Sequence, residues 1–278
     1  MAAIEQEVLR SRVGPLLREW RQRRRMSQLE LALEAGVSAR HISFIETGRS
    51  RPSPEMLLAL AAQLDVPLRD RNELLLAAGY APVYGSRGLD HPDMEPVRET
   101  LELVLRSHEP YPAMVVDRHW GIVAANAAVG LLTEGAAREL LEPPANVLRL
   151  ALHPDGVAPR IVNLAQLRAT LLSWLRRQVA STGDPALAAL LDELRALPGG
   201  GRFEPPPTEV AVPLRIRWGD DVLSFISTIT TFSRATDITV AELSIESFFP
   251  TDAATARAVR DYLGGHRHAA GGPQPLRA

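Results

Sequence analysis

Between Gln28 and Arg51, side chains able to do chemistry alternate with apolar anchors at helical spacing. Ser27 followed by Glu30 is the pattern of a capping box, and it opens a short helix from Gln28 to Ala35. Gly36-Val37-Ser38 reads as a tight turn in which glycine supplies the left-handed conformation. Ser38 can cap a second helix running to about Thr47, and Gly48 ends it. Ala32 is small enough for two helices to cross close to it, while Val37, Ile42 and Ile45 anchor the second helix in a core. That leaves Ala39, Arg40, His41, Ser43 and Phe44 facing outward. A helix exposed in this way fits the major groove of DNA, N-terminus first.

The elements around this pair are also helical. Val13, Leu16, Leu17 and Trp20 form one apolar stripe with arginines on the other faces. Ser53-Pro54 is a cap followed by proline at the first helical position, opening a helix to about Leu64, and a last helix fits Asp70 to Ala78. Residues 13–51 hold eight Arg against four Glu, a local charge of +4, although the 278-residue chain carries a net charge of −2. The basic charge is thus concentrated where the outward-facing helix lies.

The run SQLELALEAGVSARHISFIETGRSRPSPEMLLALAAQLDV resembles the XRE-type DNA-binding domain of phage repressors, over about residues 13–80. The resemblance implies a five-helix, lambda-repressor-like fold. By it, Gln28 contacts a phosphate or an outer base, and Ala39, Arg40 and Phe44 occupy base-reading positions. Arg40 has the strongest chemistry, since a guanidinium pairs bidentately with guanine O6 and N7. Ala39 and Phe44 depart from the glutamine frequent there in phage repressors, and apolar contact with a thymine methyl is their natural alternative. Thr47, Arg49 and Arg51 would grip phosphates after the recognition helix. The expected DNA-binding set is therefore Gln28, Ser38, Ala39, Arg40, His41, Ser43, Phe44, Thr47, Arg49 and Arg51.

Residues 81–96 are rich in Gly, Pro and Asp and read as a linker. Beyond it, Glu95 to Ser107 is helical. Ala113–Asp117 and Ile122–Ala125 are β-rich runs flanking a hairpin signal, and Asn126 is expected to cap a short helix. Helical segments follow at Val147–Leu152, Leu164–Ser181 and Pro185–Leu197, then a Gly/Pro loop at 198–207. Three strands are expected next, Val210–Trp218, Val222–Phe232 and Ile238–Phe248, and a closing helix from Asp252 to Leu263. The Gly- and His-containing tail from Gly264 is expected to be disordered.

Four separated motifs in this half, YPAMVVDRHWGIVAANAA, NVLRLALHPDG, VPLRIRWGDDVLSFISTITTF and AELSIESFFP, resemble the ligand-binding domain of MmyB-like regulators. The resemblance implies a PAS-like antiparallel sheet backed by helices around an apolar pocket, taking a small hydrophobic, fatty-acid-like ligand. The residues expected to line it are Met114, Val116, Leu167, Leu171, Trp174, Leu214, Ile216, Trp218, Phe225, Ile229, Leu243 and Ile245. Arg160 and Arg168 are candidates to hold a carboxylate head group. At strand spacing, the alternative for any one of these apolar residues is plain core.

Other chemistry is thin. With no Lys and no Cys, Schiff-base chemistry, Walker-type phosphate loops, thiolate nucleophiles, disulfides and Cys-ligated metals are excluded. The seven His are scattered, no catalytic constellation is visible, and no metal or required cofactor is expected. No signal peptide or membrane span is read, so a cytoplasmic protein is expected. The expected class is mainly α plus α+β. Residues 1–82 would be the DNA-binding domain, 83–96 a linker, 97–263 the PAS-like ligand-binding domain and 264–278 a tail. The functional expectation is a non-enzymatic, homodimeric transcriptional regulator that binds a double-stranded operator and responds to an apolar small molecule. The alternative is an antitoxin-like protein-interaction module.

Overall fold

The structure is a computed structural model that describes residues 13–199 and 211–268, with side chains described up to residue 264. The loop expected at 198–207 falls outside the described residues from position 200, as do Val210 and the tail beyond 268. The chain forms two compact units. The first runs to Arg87 and takes in residues 180–182 and 234–241; the second holds the remainder.

Among the described residues up to Arg87, five helices form the body of the first unit: α1 (Val13–Arg23), α2 (Gln28–Glu34), α3 (Ala39–Glu46), α4 (Pro54–Gln63) and α5 (Leu68–Ala77). Their ends are set by local chemistry. The Ser27 hydroxyl accepts from the Glu30 amide at 3.1 Å while the Ser27 amide donates to the Glu30 carboxylate at 2.6 Å, the reciprocal box expected. Ser38 and Ser53 accept from the His41 and Met56 amides, both at 3.2 Å. Gly36 and Gly48 sit at φ 66° and 74°, where a side chain would be strained. Leu17, Leu31, Ile42, Ile45, Leu57, Leu60, Leu64 and Leu75 are fully buried in one core. Each such side chain contributes about 1.5–3 kcal/mol relative to exposure.

The Pro/Gly-rich segment that follows is partly tied down. Asn72 of α5 accepts from the Val83 and Tyr84 amides at 3.0 and 3.1 Å and donates to the Tyr84 carbonyl at 2.8 Å. A 3-10 turn at Pro92–Met94 leads into α6 (Glu95–Ser107).

The second unit is a five-stranded antiparallel sheet with helices. Its strands are β1 (Ala113–Val116), β2 (Ile122–Ala125), β3 (Leu214–Trp218), β4 (Asp221–Thr231) and β5 (Ser244–Pro250), in the spatial order β2-β1-β5-β4-β3. The hairpin and the later meander thus join edge to edge, because β5 pairs with both β4 and β1. Between β2 and β3 lie α7 (Val129–Thr133), α8 (Arg138–Leu141), α9 (Val147–Leu152), α10 (Leu164–Thr182) and α11 (Pro185–Ala196).

One sheet face carries Met114, Ile216, Leu223, Phe225 and Phe248 into the larger core with Leu150, Leu175 and Leu190 from the helices. The other face carries Ala113, Val115 and Ile245 against Leu101 and Leu105 of α6. Both faces of β1 and β5 are therefore covered, so those strands show no simple alternation.

Three expectations are corrected here. The segment from Ile238 does not begin a strand: Ile238–Ala241 is a short helix, α12, with the Asp237 carboxylate accepting from the Thr239 amide at 2.9 Å, and β5 starts only at Ser244. Asn126 is not a helix cap. Its buried side chain accepts from the Ala113 amide and donates to the Leu105 and Tyr111 carbonyls, stitching the strand ends to α6. The final helix, α13 (Ala253–His268), continues past Gly264 where a disordered tail was expected; Asp252 does open it, accepting from the Thr255 amide at 2.7 Å.

Candidate functional site

In the first unit α2 and α3 form a helix-turn-helix whose second helix is pinned from beneath. Ile42 and Ile45 point inward and are fully buried. Next to them Glu46 receives the Arg21 guanidinium through two contacts, Nε to Oε1 at 2.6 Å and Nη2 to Oε2 at 2.9 Å. Gln28 adds an amide hydrogen bond to Glu46 Oε2 at 2.8 Å, and Arg21 Nη1 donates to the Met26 carbonyl at 2.6 Å. This network joins α1, α2 and α3. Burial alone would raise the Glu46 carboxyl, but the hydrogen bonds from Arg21 and Gln28 outweigh it and hold it below the ordinary value.

The outer side of α3 is cationic and aromatic. Arg40 lies over the Phe44 ring at 5.1 Å and Arg49 approaches the same ring at 5.9 Å. Arg51 lies over Tyr80 at 4.4 Å. Stacking pre-orients these guanidinium groups and keeps their donors outward. Arg40, Thr47, Arg49 and Arg51 are exposed, and Ser43, Phe44 and His41 are half-buried. Ala39 is also half-buried, packed on the core. Three of the expected polar residues already have partners. Gln28 bonds Glu46, the Ser38 hydroxyl caps α3, and the Thr47 hydroxyl donates to the Ser43 carbonyl at 2.7 Å. The structural tie of Gln28 and the Arg21–Glu46 pair were not read from the sequence, where Glu46 was only one letter of a motif.

The second unit contains a cavity of about 110 Å³ between the sheet and α7, α9 and α10. Its walls include Met114, Leu132, Leu148, Leu150, Ile161, Leu167, Leu171, Leu214 and Phe248, with Thr133, Ser227 and Glu246 as its polar members. Of the residues expected to line a pocket, Met114, Leu167, Leu171 and Leu214 do so.

The others stand elsewhere. Val116, Ile216 and Phe225 face the same side of the sheet but are buried core. Ile229 is 46% exposed and lies outside the cavity wall. Trp174 packs edge-on against Trp120 at 4.5 Å, and Trp218 against Tyr262 at 6.3 Å. Leu243 and Ile245 lie on the opposite face under α6. The reason is parity: in β5 the residues directed to the cavity side are Ser244, Glu246 and Phe248, the cross-strand partners of Thr231, Ile229 and Ser227.

Neither expected carboxylate-binding arginine reaches the cavity wall. Arg160 donates to the carbonyls of Leu131, Leu132, Glu134 and Arg217. Arg168 is buried and donates to the carbonyls of Leu194 and Arg195, closing the end of α11. Both serve as caps for backbone carbonyls that would otherwise go unsatisfied.

Glu246 was missed because apolar neighbours surround it in sequence. It lines the cavity beside Ser227, whose hydroxyl hydrogen-bonds to it, and burial pushes its carboxyl up to about 7. Among the described residues no cluster of His, Asp and Glu is arranged to hold a metal ion. His119 instead bonds Asp184 at 3.0 Å, and His153 accepts from the Asp155 amide at 3.1 Å.

Two family models match the chain, one over each of these regions. The helix-turn-helix family matches residues 17–70, the segment that carries α2 and α3. The MmyB-like transcription regulator ligand binding domain matches residues 97–261, more than half of the chain, and the chain belongs to that family. It is a DNA-binding regulator with a ligand-binding domain. No curated protein matches the chain. Among solved structures it is similar to the clp gene regulator ClgR from Corynebacterium glutamicum, at 26% identity over 37% of this chain and 95% of that one, with a TM-score of 0.23. Among the described residues no helix is long and apolar enough to cross a membrane.

Proposed function

We propose that the protein is a one-component transcriptional regulator of the cytoplasm. A homodimer binds a double-stranded operator, and the cavity of the second unit takes a small apolar molecule that changes operator affinity. The observation carrying the DNA half is α3, which buries Ile42 and Ile45 and holds Arg40 outward over Phe44, with Arg49 just beyond its end against the same ring. One such helix per subunit covers little DNA, and a two-fold pair of half-sites supplies the missing contacts.

The ligand half rests on the apolar cavity wall. A cavity of comparable size, roughly 150 Å³ and lined by aliphatic residues, holds a benzene-sized guest in another protein. A linear alkyl chain suits these walls. For regulation the ligand must bind one arrangement of the protein better than another, and the coupling is reciprocal. Operator binding is measured with and without a series of linear alcohols of increasing chain length. Affinity for the ligand should climb by about 0.8 kcal/mol per buried methylene and level off once the cavity is full. A flat response across the series would show a filled core with no sensor in it.

A further inference from the structure

The cavity has an asymmetry of charge. Among the described residues its wall is apolar apart from Thr133, Ser227 and Glu246, and none of those lining it is Arg or His. Arg149, within α9, is paired with Glu193, and Arg160 and Arg168 are occupied with carbonyls. Across the strands, Glu246 faces Met114 on one side and Ile229 on the other. The helices α7, α9 and α10 present Leu132, Thr133, Leu148, Leu150 and Leu171 to the same space, with no charged side chain. The acid therefore meets a hydroxyl and hydrocarbon.

Position matters as well. Glu246 and Ser227 lie where β4 turns from buried to exposed: Leu223 and Phe225 are buried, while Ser227 and Ile229 are exposed. Leu148, Leu150, Ile161 and Phe248 at the rest of the wall are buried. A ligand with one polar end would put that end at Glu246 and its hydrocarbon among the buried residues.

Resting on the reading of this cavity as a ligand site, we propose that Glu246 is its polar anchor and that the ligand is an apolar amine, held by an ammonium–carboxylate contact, with no carboxylate head group. An anionic head would meet a like charge with no cation among the described lining residues to offset it, and an ammonium would meet its complement with the Ser227 hydroxyl alongside. An uncharged Glu246 accommodates a neutral head, so an alcohol of the same chain should bind with intermediate affinity.

The test uses the full chain and three ligands of one chain length, hexylamine, hexan-1-ol and hexanoate, followed by calorimetry at pH 7.5. The amine should bind at least tenfold more tightly than hexanoate. Glu246→Gln should erase that preference while leaving hexanol binding in place, and Glu246→Asp should retain it. At pH 7, where the carboxyl is near half-protonation, amine binding should release protons, which titrations in buffers of different ionisation heat detect. Hexanoate binding as tightly as the amine would overturn the anchor assignment and leave the cavity a ligand site. So would a preference that survives Glu246→Gln. Absence of binding by all three would remove the ligand site itself, and the anchor with it.

Discussion

At the scale of single residues, two side chains carry the sharpest consequences. Arg40 stands at the start of the recognition helix, exposed and stacked on Phe44. Arg40→Ala should cost about 1–3 kcal/mol per half-site and relax preference at one base pair. Binding to a panel of operator variants checks this; an unchanged sequence preference would place Arg40 among the phosphate contacts. Glu246 gives a pH signature. Its carboxyl lies near 7 in the folded protein, above the ordinary 4.5. The folded state thus holds its proton over a range where the unfolded chain has lost it, so stability falls as pH climbs from about 4.5 to about 7. The full effect is on the order of 3 kcal/mol. Thermal unfolding of Glu246→Gln beside the unmodified chain should show the two curves separating across that window, the variant being the less pH-sensitive. Glu46 acts in the opposite sense. Its folded value lies below 4.5, so its contribution is present above that pH and disappears as pH falls below it.

At the scale of elements, the recognition helix depends on a buried ion pair. Arg21 and Glu46 are held at 2.6 Å with side-chain exposures of 11% and 2%. Removing one member strands the other in a dry site. Glu46→Ala should therefore destabilise the first unit by about 3–5 kcal/mol, measured by urea unfolding. Replacing both by apolar residues should recover much of the loss, since the pair's own net contribution is small. A loss under about 1 kcal/mol in the single variant would mean that water reaches Arg21. The sheet has its own fastener in Asn126, which binds β1, α6 and the segment before β1 through three backbone groups. Helix boundaries in both units follow caps legible from the sequence, such as Ser27 with Glu30 and Asp184 before Pro185.

At the scale of the whole molecule, the proposed homodimer makes a geometric prediction. Two recognition helices related by a two-fold axis read half-sites about one helical turn of DNA apart. Footprinting on operators with shuffled spacers should show affinity falling sharply away from one spacing. Equal affinity at every spacing would mean that a single subunit binds. Linkage adds a second check: a ligand that weakens operator binding by some factor must itself bind more weakly, by the same factor, to the operator complex.

What the sequence by itself determined about this protein is local. Caps, glycine turns and the spacing of Ile42 and Ile45 were enough to place the helix-turn-helix, since an α-helix is built from contacts three and four residues apart. The motifs between residues 110 and 250 were enough for the family and its sheet. The tertiary structure decided which face each strand residue uses and what each polar group meets. Leu243 and Ile245 look like pocket residues in a linear reading, but β5 is covered on both faces, so alternation carries no sign of which cover is which. Arg160 and Arg168 look like free cations, yet both are spent on carbonyls brought near them by the fold. Glu46 and Glu246 differ little as letters. One meets a guanidinium and sits below its ordinary pKa, the other meets hydrocarbon and sits above it. Partners from distant parts of the chain set that difference, because the cost of a charge depends on what surrounds it after folding.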